Sequence, residues 1–250
     1  QKIEQEDIKK ELEYNRQTVE RQEDQQEVLL NDSQTKEKSF EEIIADREIK
    51  AAQIRASLFE LVGLLKGAQG IPFGQALEYA EIAGSKTGVR AAFILAILQQ
   101  ESSLGKNVGT CNRPGDTRTW KTIMPGPVEY SSGRSWRDDQ SAFQRIASKL
   151  GISPDGQPLS CPLGSGGWGG AMGPSQFIPT TWESYESRVA VAVGVSLADP
   201  WNPLHAVMAT ALYTADLGAG VGGYTAEREA ACKYYSGRGC SDPAVKNAFY

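Results

Sequence analysis

The sequence predicts a mainly α-helical protein with a long helical arm in residues 1–62 and a helical globular domain in residues 63–250. Residues 1–60 carry 10 Lys/Arg against 16 Asp/Glu, whereas the rest of the chain is nearly neutral. The first 62 residues contain no Gly, Pro, Cys or Trp. A stretch without helix breakers and large core aromatics is typical of a solvated helix. The globular part contains no convincing alternating strand pattern, which excludes an extensive sheet.

The arm has an apolar pattern typical of a coiled coil, but an incomplete one. Spacings of four and three residues connect its apolar positions, and about half of the intervening core positions are polar. Residues 31–35, NDSQT, are turn-prone and predict either the bend of a helical hairpin or a soft point in one helix. We expect this narrow stripe to pair with a second helix. The apolar positions are Ile8, Leu12, Val19, Leu29, Phe40, Ile43, Ile54 and Leu61.

The globular part contains several helical segments separated by Gly and Pro. The segment VRAAFILAILQQ, residues 89–100, is apolar on nearly every side and predicts a central helix. Residues 105–168 are rich in Gly, Pro and Ser, and we expect mostly loop there. The predicted helices cover residues 75–83, 89–100, 140–150, a segment starting near 179, 202–217 and 225–235.

Four cysteines lie at positions 111, 161, 232 and 240, and none forms a CxxC pair. The favoured pairing is Cys111 with Cys161 and Cys232 with Cys240, because each pair closes one glycine-rich loop. The alternative is four buried thiols in a cytosolic protein. Disulfides predict an oxidising compartment. The sequence opens in mid-helix pattern, so we expect its natural start to be missing, and the lack of a signal peptide does not argue against export.

Composition and motifs exclude several function classes. No cluster of Lys and Arg with interleaved aromatics predicts nucleic-acid binding, and no apolar window is long enough to predict a membrane span. His205 is the only histidine, which excludes a multi-histidine metal site. We expect it to be a hydrogen-bonded structural residue rather than a catalytic base. No P-loop motif occurs.

Glu101 is the first candidate for chemistry, because it ends the apolar helix. A carboxyl group held where a hydrophobic helix enters a cleft loses solvation, which raises its pKa. A glutamic acid that stays protonated near neutral pH can donate a proton to a leaving oxygen. Taken alone, the same position also fits a solvent-exposed glutamate at the end of a helix.

Two further segments strengthen this interpretation. Residues 169–179, GGAMGPSQFIP, combine small residues that permit close approach of the backbone to a ligand with Gln176, which offers a donor and an acceptor. Near the C-terminus, YYSG at residues 234–237 is another candidate cleft element. Together with Glu101 and Ser102, these segments occur in a recognisable order.

The chain resembles the lysozyme-like lytic transglycosylases in the order of its motifs. Glu-Ser follows an apolar helix, GAMGPSQF-IP comes next, and an aromatic-x-x-Gly motif lies near the C-terminus. The GAMGPSQF stretch is most similar to the membrane-bound B type. The resemblance covers roughly residues 70–240 and leaves the arm outside it. The arm is distantly similar to the coiled-coil regions of some cell-wall hydrolases and their activators.

The resemblance implies a lysozyme-like catalytic domain and a role for each matching residue. Glu101 is the implied acid and base, and Ser102 shapes its surroundings. Gly170, Met172 and Gln176 would line the sugar subsites. Tyr234 would hydrogen-bond near Glu101. The family pattern has Asn at the next position, where this chain has Tyr235, which puts an asparagine-mediated substrate contact in doubt. For Met172 and Tyr234, ordinary packing is the alternative.

The implied activity is cleavage of the β-1,4 bond between N-acetylmuramic acid and N-acetylglucosamine, with formation of 1,6-anhydromuramoyl ends. No metal or cofactor is implied. Glycosidases commonly use two carboxylates, but no motif singles out Asp116, Asp138, Asp139 or Asp216 as a second one. Two alternatives stay open at this point: a muramidase that adds water, and a non-catalytic module that binds the cell wall.

The same resemblance implies peptidoglycan strands as the partner and a secreted, extracellular or periplasmic location. The arm, residues 1–62, is expected to self-associate, to recruit a partner protein or to fold over the cleft as a gate. Its sequence does not choose between these roles.

Overall fold

A computed structural model describes residues 2–66, 70–164 and 166–245 of the chain. Its contacts divide the chain into two compact units, residues 1–48 and 49–250. The prediction of a mainly helical protein is confirmed, and within the described ranges only isolated bridges, and no strand, interrupt the helices and loops. The domain boundary predicted after residue 62 stays a prediction.

The first unit is formed by helix α1, Lys2–Lys66, which also continues beyond that unit. The turn-prone residues 31–35 lie inside this helix, so the hairpin alternative is not the one that the structure adopts. Thr35 donates a hydrogen bond to the Asn31 carbonyl (2.8 Å), and Lys36 pairs with Asp32 (2.6 Å), both one helical turn apart. These contacts give the polar side chains hydrogen-bonding partners within the helix, although the same residue types often favour turns in other sequences. The side chains of the predicted stripe that the structure describes are exposed, and those of Ile8, Ile54 and Leu61 lie outside the described side chains. The exposed ones are Leu12, Val19, Leu29, Phe40 and Ile43.

The second unit contains a helical core around one nearly fully buried helix. Helix α8, Pro203–Asp216, contacts α2, Phe73–Thr87; α3, Ala91–Ser102; and α7, Pro179–Val193. Its apolar surface on almost every side requires this central position. Helix α6, Asp139–Leu150, packs against α7, and α9, Tyr224–Ser236, contacts α8. A short 3-10 helix, Ala219–Val221, precedes α9.

Helix α2 is longer than predicted. We expected it to end at Gly84, but it continues to Thr87 and ends where Gly88 adopts a left-handed conformation with φ 74°. Gly84 serves another purpose: a Cβ atom there would lie 2.6 Å from the Val89 carbonyl oxygen. The glycine permits a close backbone approach instead of ending the helix.

Two short helices in the Gly- and Pro-rich region were not predicted: α4, Trp120–Ile123, and α5, Pro127–Ser131. Each is too short to show a helical period in its sequence. Both predicted disulfides are confirmed, Cys111–Cys161 and Cys232–Cys240. Antiparallel bridges connect Cys111 to Leu159, and Leu159 to Met172. These contacts attach the long loop to the GAMGPSQF segment.

The buried carboxylate of Asp139 joins α6 to α7. Its Oδ1 atom accepts hydrogen bonds from the Thr180 backbone nitrogen (3.2 Å) and hydroxyl (2.8 Å) in the first turn of α7. Its Oδ2 atom pairs with Arg137, whose side chain is itself largely buried. The neighbouring Asp138 has a local role, since it caps α6 by accepting from the Ser141 backbone nitrogen.

Replacing Asp139 by Asn should therefore lower the free energy of unfolding by about 3 kcal/mol, because it leaves the Arg137 guanidinium buried and unpaired. Asp138→Asn is the matched control, since Asn caps a helix about as well as Asp. Urea unfolding followed by circular dichroism measures both. Equal effects of the two substitutions would contradict the role assigned to Asp139.

Candidate active site

Glu101 lies in the last turn of α3 and is half-buried. Burial raises the pKa of its carboxyl group from an ordinary value of 4.5 to about 7. A hydrogen bond with the Tyr235 hydroxyl acts in the opposite direction, because it stabilises the ionised carboxylate. The group is therefore an acid that can both hold and release a proton near neutral pH.

The chain after Glu101 turns sharply and is held by Ser102. Three consecutive residues, Ser103, Leu104 and Gly105, have φ values of 51°, 55° and 79°. Such conformations are unfavourable for the two non-glycine residues and need support from their surroundings. The buried Ser102 hydroxyl accepts a hydrogen bond from the Gly105 backbone nitrogen (2.7 Å) and donates one to the Pro174 carbonyl oxygen (2.6 Å). It thereby connects the end of α3 to the GAMGPSQF segment.

The GAMGPSQF segment forms a tight turn. The Met172 nitrogen donates to the Phe177 carbonyl oxygen (3.0 Å), and Gln176 has a left-handed φ of 51°. Gly173 is required by close packing, since a Cβ atom there would lie 1.9 Å from the Pro200 carbonyl oxygen. A Cβ atom at Gly170 would likewise meet the Met124 side chain at 2.5 Å. The glycines permit this segment to pack against the rest of the domain.

An aromatic cluster extends from the GAMGPSQF segment to the end of α9. The Phe177 ring contacts the Tyr213 ring (5.5 Å between centroids), Tyr213 contacts Tyr234 (5.2 Å), and Tyr234 contacts Tyr235 (5.2 Å). Edge-to-face and tilted contacts at these distances are favourable. Burial raises the pKa of Tyr235 to about 12 and that of Tyr234 well above its usual value. Both hydroxyls therefore stay protonated at neutral pH and can act as donors.

The structure places the predicted site residues in two groups. Glu101, Ser102, Tyr234 and Tyr235 form the first group, in which Tyr235 lowers the pKa of Glu101 and Glu101 raises the pKa of both tyrosines. That Tyr234 hydrogen-bonds near Glu101 stays a prediction: burial and the neighbouring Glu101 raise the pKa of Tyr234, and its ring lies between the rings of Tyr213 and Tyr235.

The remaining predicted residues are in the GAMGPSQF segment. Met172 is fully buried in the hydrophobic core, so its side chain presents no surface to a sugar, and the prediction of a sugar contact is corrected to packing. Gly170 is buried against Met124. Gln176 is half-buried, and its side-chain nitrogen donates to the Gly173 carbonyl oxygen (2.8 Å). The sequence analysis did not single out Tyr213, because a tyrosine in the mostly apolar helix α8 is indistinguishable from a core residue.

The four candidate second carboxylates all have other partners. Asp116 pairs with Arg118, and hydrogen bonds from that residue lower the pKa of Asp116. Asp216 accepts from the Tyr185 hydroxyl (2.8 Å) and pairs with Arg188, which lowers its pKa. Asp138 and Asp139 have the structural roles described above. No second carboxylate is therefore assigned to the site.

Other chemistry has little support in the described residues. His205 is buried, its Nδ1 atom accepts from the Asp199 backbone nitrogen (3.0 Å), and burial lowers its pKa to about 4. It is thus a neutral structural residue at neutral pH, as expected. Residues 2–66, 70–164 and 166–245 contain no group of three His, Cys, Asp or Glu arranged to hold a metal ion. Within the same ranges, no helix has the length and apolar character needed to cross a membrane.

A family model described as the transglycosylase SLT domain matches residues 4–218. The chain belongs to this family. The match confirms the resemblance to transglycosylases, and it extends into the arm, which the motifs did not cover. No curated protein sequence is significantly similar to the chain.

Three solved structures illustrate its structural similarity. The first, a 36 kDa muramidase/transglycosylase, is 20% identical over 58% of this chain and 42% of its own, with a TM-score of 0.45. The second, the soluble lytic transglycosylase SltB1 from Pseudomonas aeruginosa, is 22% identical over 58% of this chain and 44% of its own, with a TM-score of 0.44. The third, Slt35 from Escherichia coli in complex with calcium, is 18% identical over 65% and 53%, with a TM-score of 0.42. The chain spans about half the length of these proteins.

Ser102→Ala should lower the free energy of unfolding by about 2 kcal/mol, because it leaves the Gly105 nitrogen and the Pro174 carbonyl without their shared partner. Ser103→Ala is the matched control, since that serine is exposed and keeps its Cβ atom in the same conformation. Urea unfolding compares the two variants. A loss no larger than that of Ser103→Ala would show that Ser102 does not hold the loop.

Glu101→Gln should stabilise the fold at alkaline pH. The pKa of Glu101 is higher in the folded protein, so the folded protein binds more protons than the unfolded chain between about pH 4.5 and 7. The free energy of unfolding of the parent protein therefore falls as pH rises through this range. The stability difference between variant and parent should therefore grow over the same range to roughly 3 kcal/mol at most.

Thermal unfolding between pH 4 and 8.5 tests this, with Glu81→Gln on α2 as the control for an exposed glutamate. A difference between parent and Glu101→Gln that does not change with pH would rule out a raised pKa.

Proposed function

We propose that this chain is a peptidoglycan lytic transglycosylase in which Glu101 acts alone, first as general acid and then as general base. The observation that carries the proposal is the half-buried Glu101, whose pKa is raised to about 7 beside two protonated tyrosines. Membership of the transglycosylase SLT domain family supplies the reaction class. The cleaved bond is the β-1,4 linkage between N-acetylmuramic acid and N-acetylglucosamine.

In the first proposed step, the protonated Glu101 donates its proton to the bridging oxygen as the bond between this oxygen and the muramoyl C1 breaks. Positive charge then develops at C1. The 2-acetamido oxygen of the same sugar stabilises this charge, in place of a protein carboxylate. This assignment agrees with the structural roles of the four aspartates, none of which is left for C1.

In the second step, the Glu101 carboxylate removes the proton of the muramoyl 6-hydroxyl group, whose oxygen bonds to C1. The product is a 1,6-anhydromuramoyl end, and Glu101 recovers its proton. A group that serves as acid and base in turn works best when its pKa is near the working pH. The value of about 7 meets this requirement.

Several further assignments belong to the proposal. The half-buried Gln176 would contact an amide or hydroxyl group of the substrate through its remaining donor and acceptor positions. Ser102 would keep the GAMGPSQF segment in register with Glu101. Two disulfides and a cell-wall substrate favour action in the cell envelope, outside the reducing cytosol.

Digestion of purified peptidoglycan tests the proposal directly. The parent chain should release muropeptides whose muramoyl ends are one water lighter than hydrolysed ends. Glu101→Gln should lower the rate about a thousandfold, because an amide is too weak an acid to transfer a proton to the leaving oxygen and cannot serve as the base afterwards. Mass spectrometry of the soluble products measures both the yield and the type of end, and Glu81→Gln should behave as the parent.

Three outcomes would change the assignment. Cleavage that persists in Glu101→Gln would remove Glu101 from the mechanism. Hydrolysed ends in place of anhydro ends would identify a muramidase. Glycan binding by the parent chain without any released muropeptide would identify a wall-binding module.

A further inference from the structure

We propose that Trp136 and Tyr130 form a second sugar-binding surface, separate from the residues grouped around Glu101, on which a glycan strand rests beside the GAMGPSQF segment. Its ligand is a pyranose ring of the strand. The inference rests on the proposed function and deepens it, because it assigns where the proposed substrate continues beyond the cleaved bond. Residues 125–138, which carry both aromatics, are called the aromatic loop.

Both aromatic side chains of this loop are open to solvent. Trp136 is 73% exposed, and Tyr130 in α5 is 56% exposed. A backbone hydrogen bond from the Ser135 nitrogen to the Glu129 carbonyl oxygen (3.0 Å) joins the residues that precede them. One exposed aromatic on a surface needs no explanation, but two brought together on one loop with polar neighbours are typical of a ligand-binding surface.

The Trp136 indole is held in place although it is exposed. The guanidinium carbon of Arg137 lies 5.1 Å from the ring centroid, which is a favourable cation–π contact. The same guanidinium pairs with the buried Asp139. The Ser135 hydroxyl accepts from the Arg137 nitrogen (3.2 Å) and donates to the Arg137 carbonyl oxygen (2.9 Å), which fixes the backbone around Trp136. A ring fixed before binding loses little conformational entropy when a ligand stacks on it.

The aromatic loop is attached to the GAMGPSQF segment near both ends of that segment. Met124, which precedes the loop, packs against Gly170, where a Cβ atom would lie 2.5 Å from the Met124 side chain. Asp139, which follows the loop, accepts hydrogen bonds from the nitrogen and hydroxyl of Thr180, directly after the segment and its Ile-Pro. A polymer bound at the segment therefore has a neighbouring surface on which to continue.

The surroundings of the two aromatics favour a sugar over a lipid surface. The exposed side chains of Ser131, Ser132 and Arg134 offer hydrogen-bonding groups to sugar hydroxyls beside the rings. An aromatic face packs against the C–H groups of a pyranose while such polar groups bind its hydroxyls. The loop has two positive and two negative side chains, so it has no excess positive charge to attract anionic lipids. These side chains are Glu129, Arg134, Arg137 and Asp138.

Trp136→Ala should weaken the binding of peptide-free glycan strands about tenfold, because the stacking surface is lost. Trp136→Phe keeps a flat ring and should retain most of the affinity. Trp136→Leu keeps an apolar side chain without a flat face and should behave like Trp136→Ala. Calorimetric titration measures the affinities in the Glu101→Gln chain, in which the proposed reaction does not consume the strand.

Two further substitutions complete the binding experiment. Tyr130→Ala leaves the Arg137 contact with Trp136 in place and should weaken strand binding about threefold. Tyr224→Ala removes an exposed aromatic from α9, outside the aromatic loop, and should leave the affinity unchanged. Thermal unfolding should be unchanged in all these variants, since each altered side chain is exposed.

The effect on cleavage should depend on strand length. In the otherwise parent chain, Trp136→Ala should raise KM for long glycan strands about tenfold and change kcat less than about twofold, because a contact remote from the reacting atoms binds substrate and transition state equally. For a tetrasaccharide that spans the cleaved bond, the variant should match the parent, since the sugars that would lie on the loop are missing. Equal losses on both substrates would place Trp136 in the site at Glu101 and overturn the inference.

The binding readout separates this inference from the proposed function. Unchanged glycan affinity in Trp136→Ala, with cleavage intact, would overturn the sugar-binding surface and leave the role of Glu101 as it is. Glycan binding that Trp136→Ala weakens, in a parent chain that cleaves nothing, would support the surface and remove the proposed reaction.

Two other results would also overturn the inference. Full affinity in Trp136→Leu would indicate a general apolar contact in place of stacking. Binding of the parent chain to vesicles of phosphatidylcholine and phosphatidylglycerol, lost in Trp136→Ala, would identify the aromatic loop as a membrane contact.

Discussion

The hydrogen bonds of the Ser102 hydroxyl are the constraint on which the arrangement of the site depends. One connects it to Gly105 across a strained turn, and the other connects it to Pro174 in the GAMGPSQF segment. Both partners are backbone groups, so a single side chain sets the spacing between two distant parts of the chain. Because Glu101 directly precedes Ser102, its position relative to that segment is fixed by the same contacts.

The electrostatic character of Glu101 results from two opposing effects. Partial burial disfavours the charged carboxylate, and the Tyr235 hydroxyl favours it. The balance brings the pKa close to neutrality without a neighbouring charge. An acid controlled in this way needs no second carboxylate to raise its pKa, which agrees with the separate structural roles of the aspartates. The site therefore depends more on packing than on ion pairs.

Local sequence signals predicted most of the helices and pointed to the candidate acid. The roles of several individual residues could not be predicted, because they depend on tertiary contacts. Glu101 was singled out because an apolar helix ends there, and the motifs that follow it, rather than its position alone, support its proposed role as the acid. Gly84 is needed because the Val89 carbonyl group approaches it closely after the helix has ended. The sequence does not show this contact, so the glycine was taken for the end of the helix. Met172 lies in a segment expected to contact ligand, yet the core surrounds it. The choice between Tyr234 and Tyr235 depends on the rotation of α9, which adjacent residues of one type do not reveal.

The family match ends at residue 218, and α9 begins six residues later at Tyr224. Glu101 therefore lies inside the matched range, and Tyr234 and Tyr235 lie beyond its end. A shortened protein that ends where the family match ends would retain the proposed acid but lose both tyrosines and the Cys232–Cys240 disulfide that closes the end of α9.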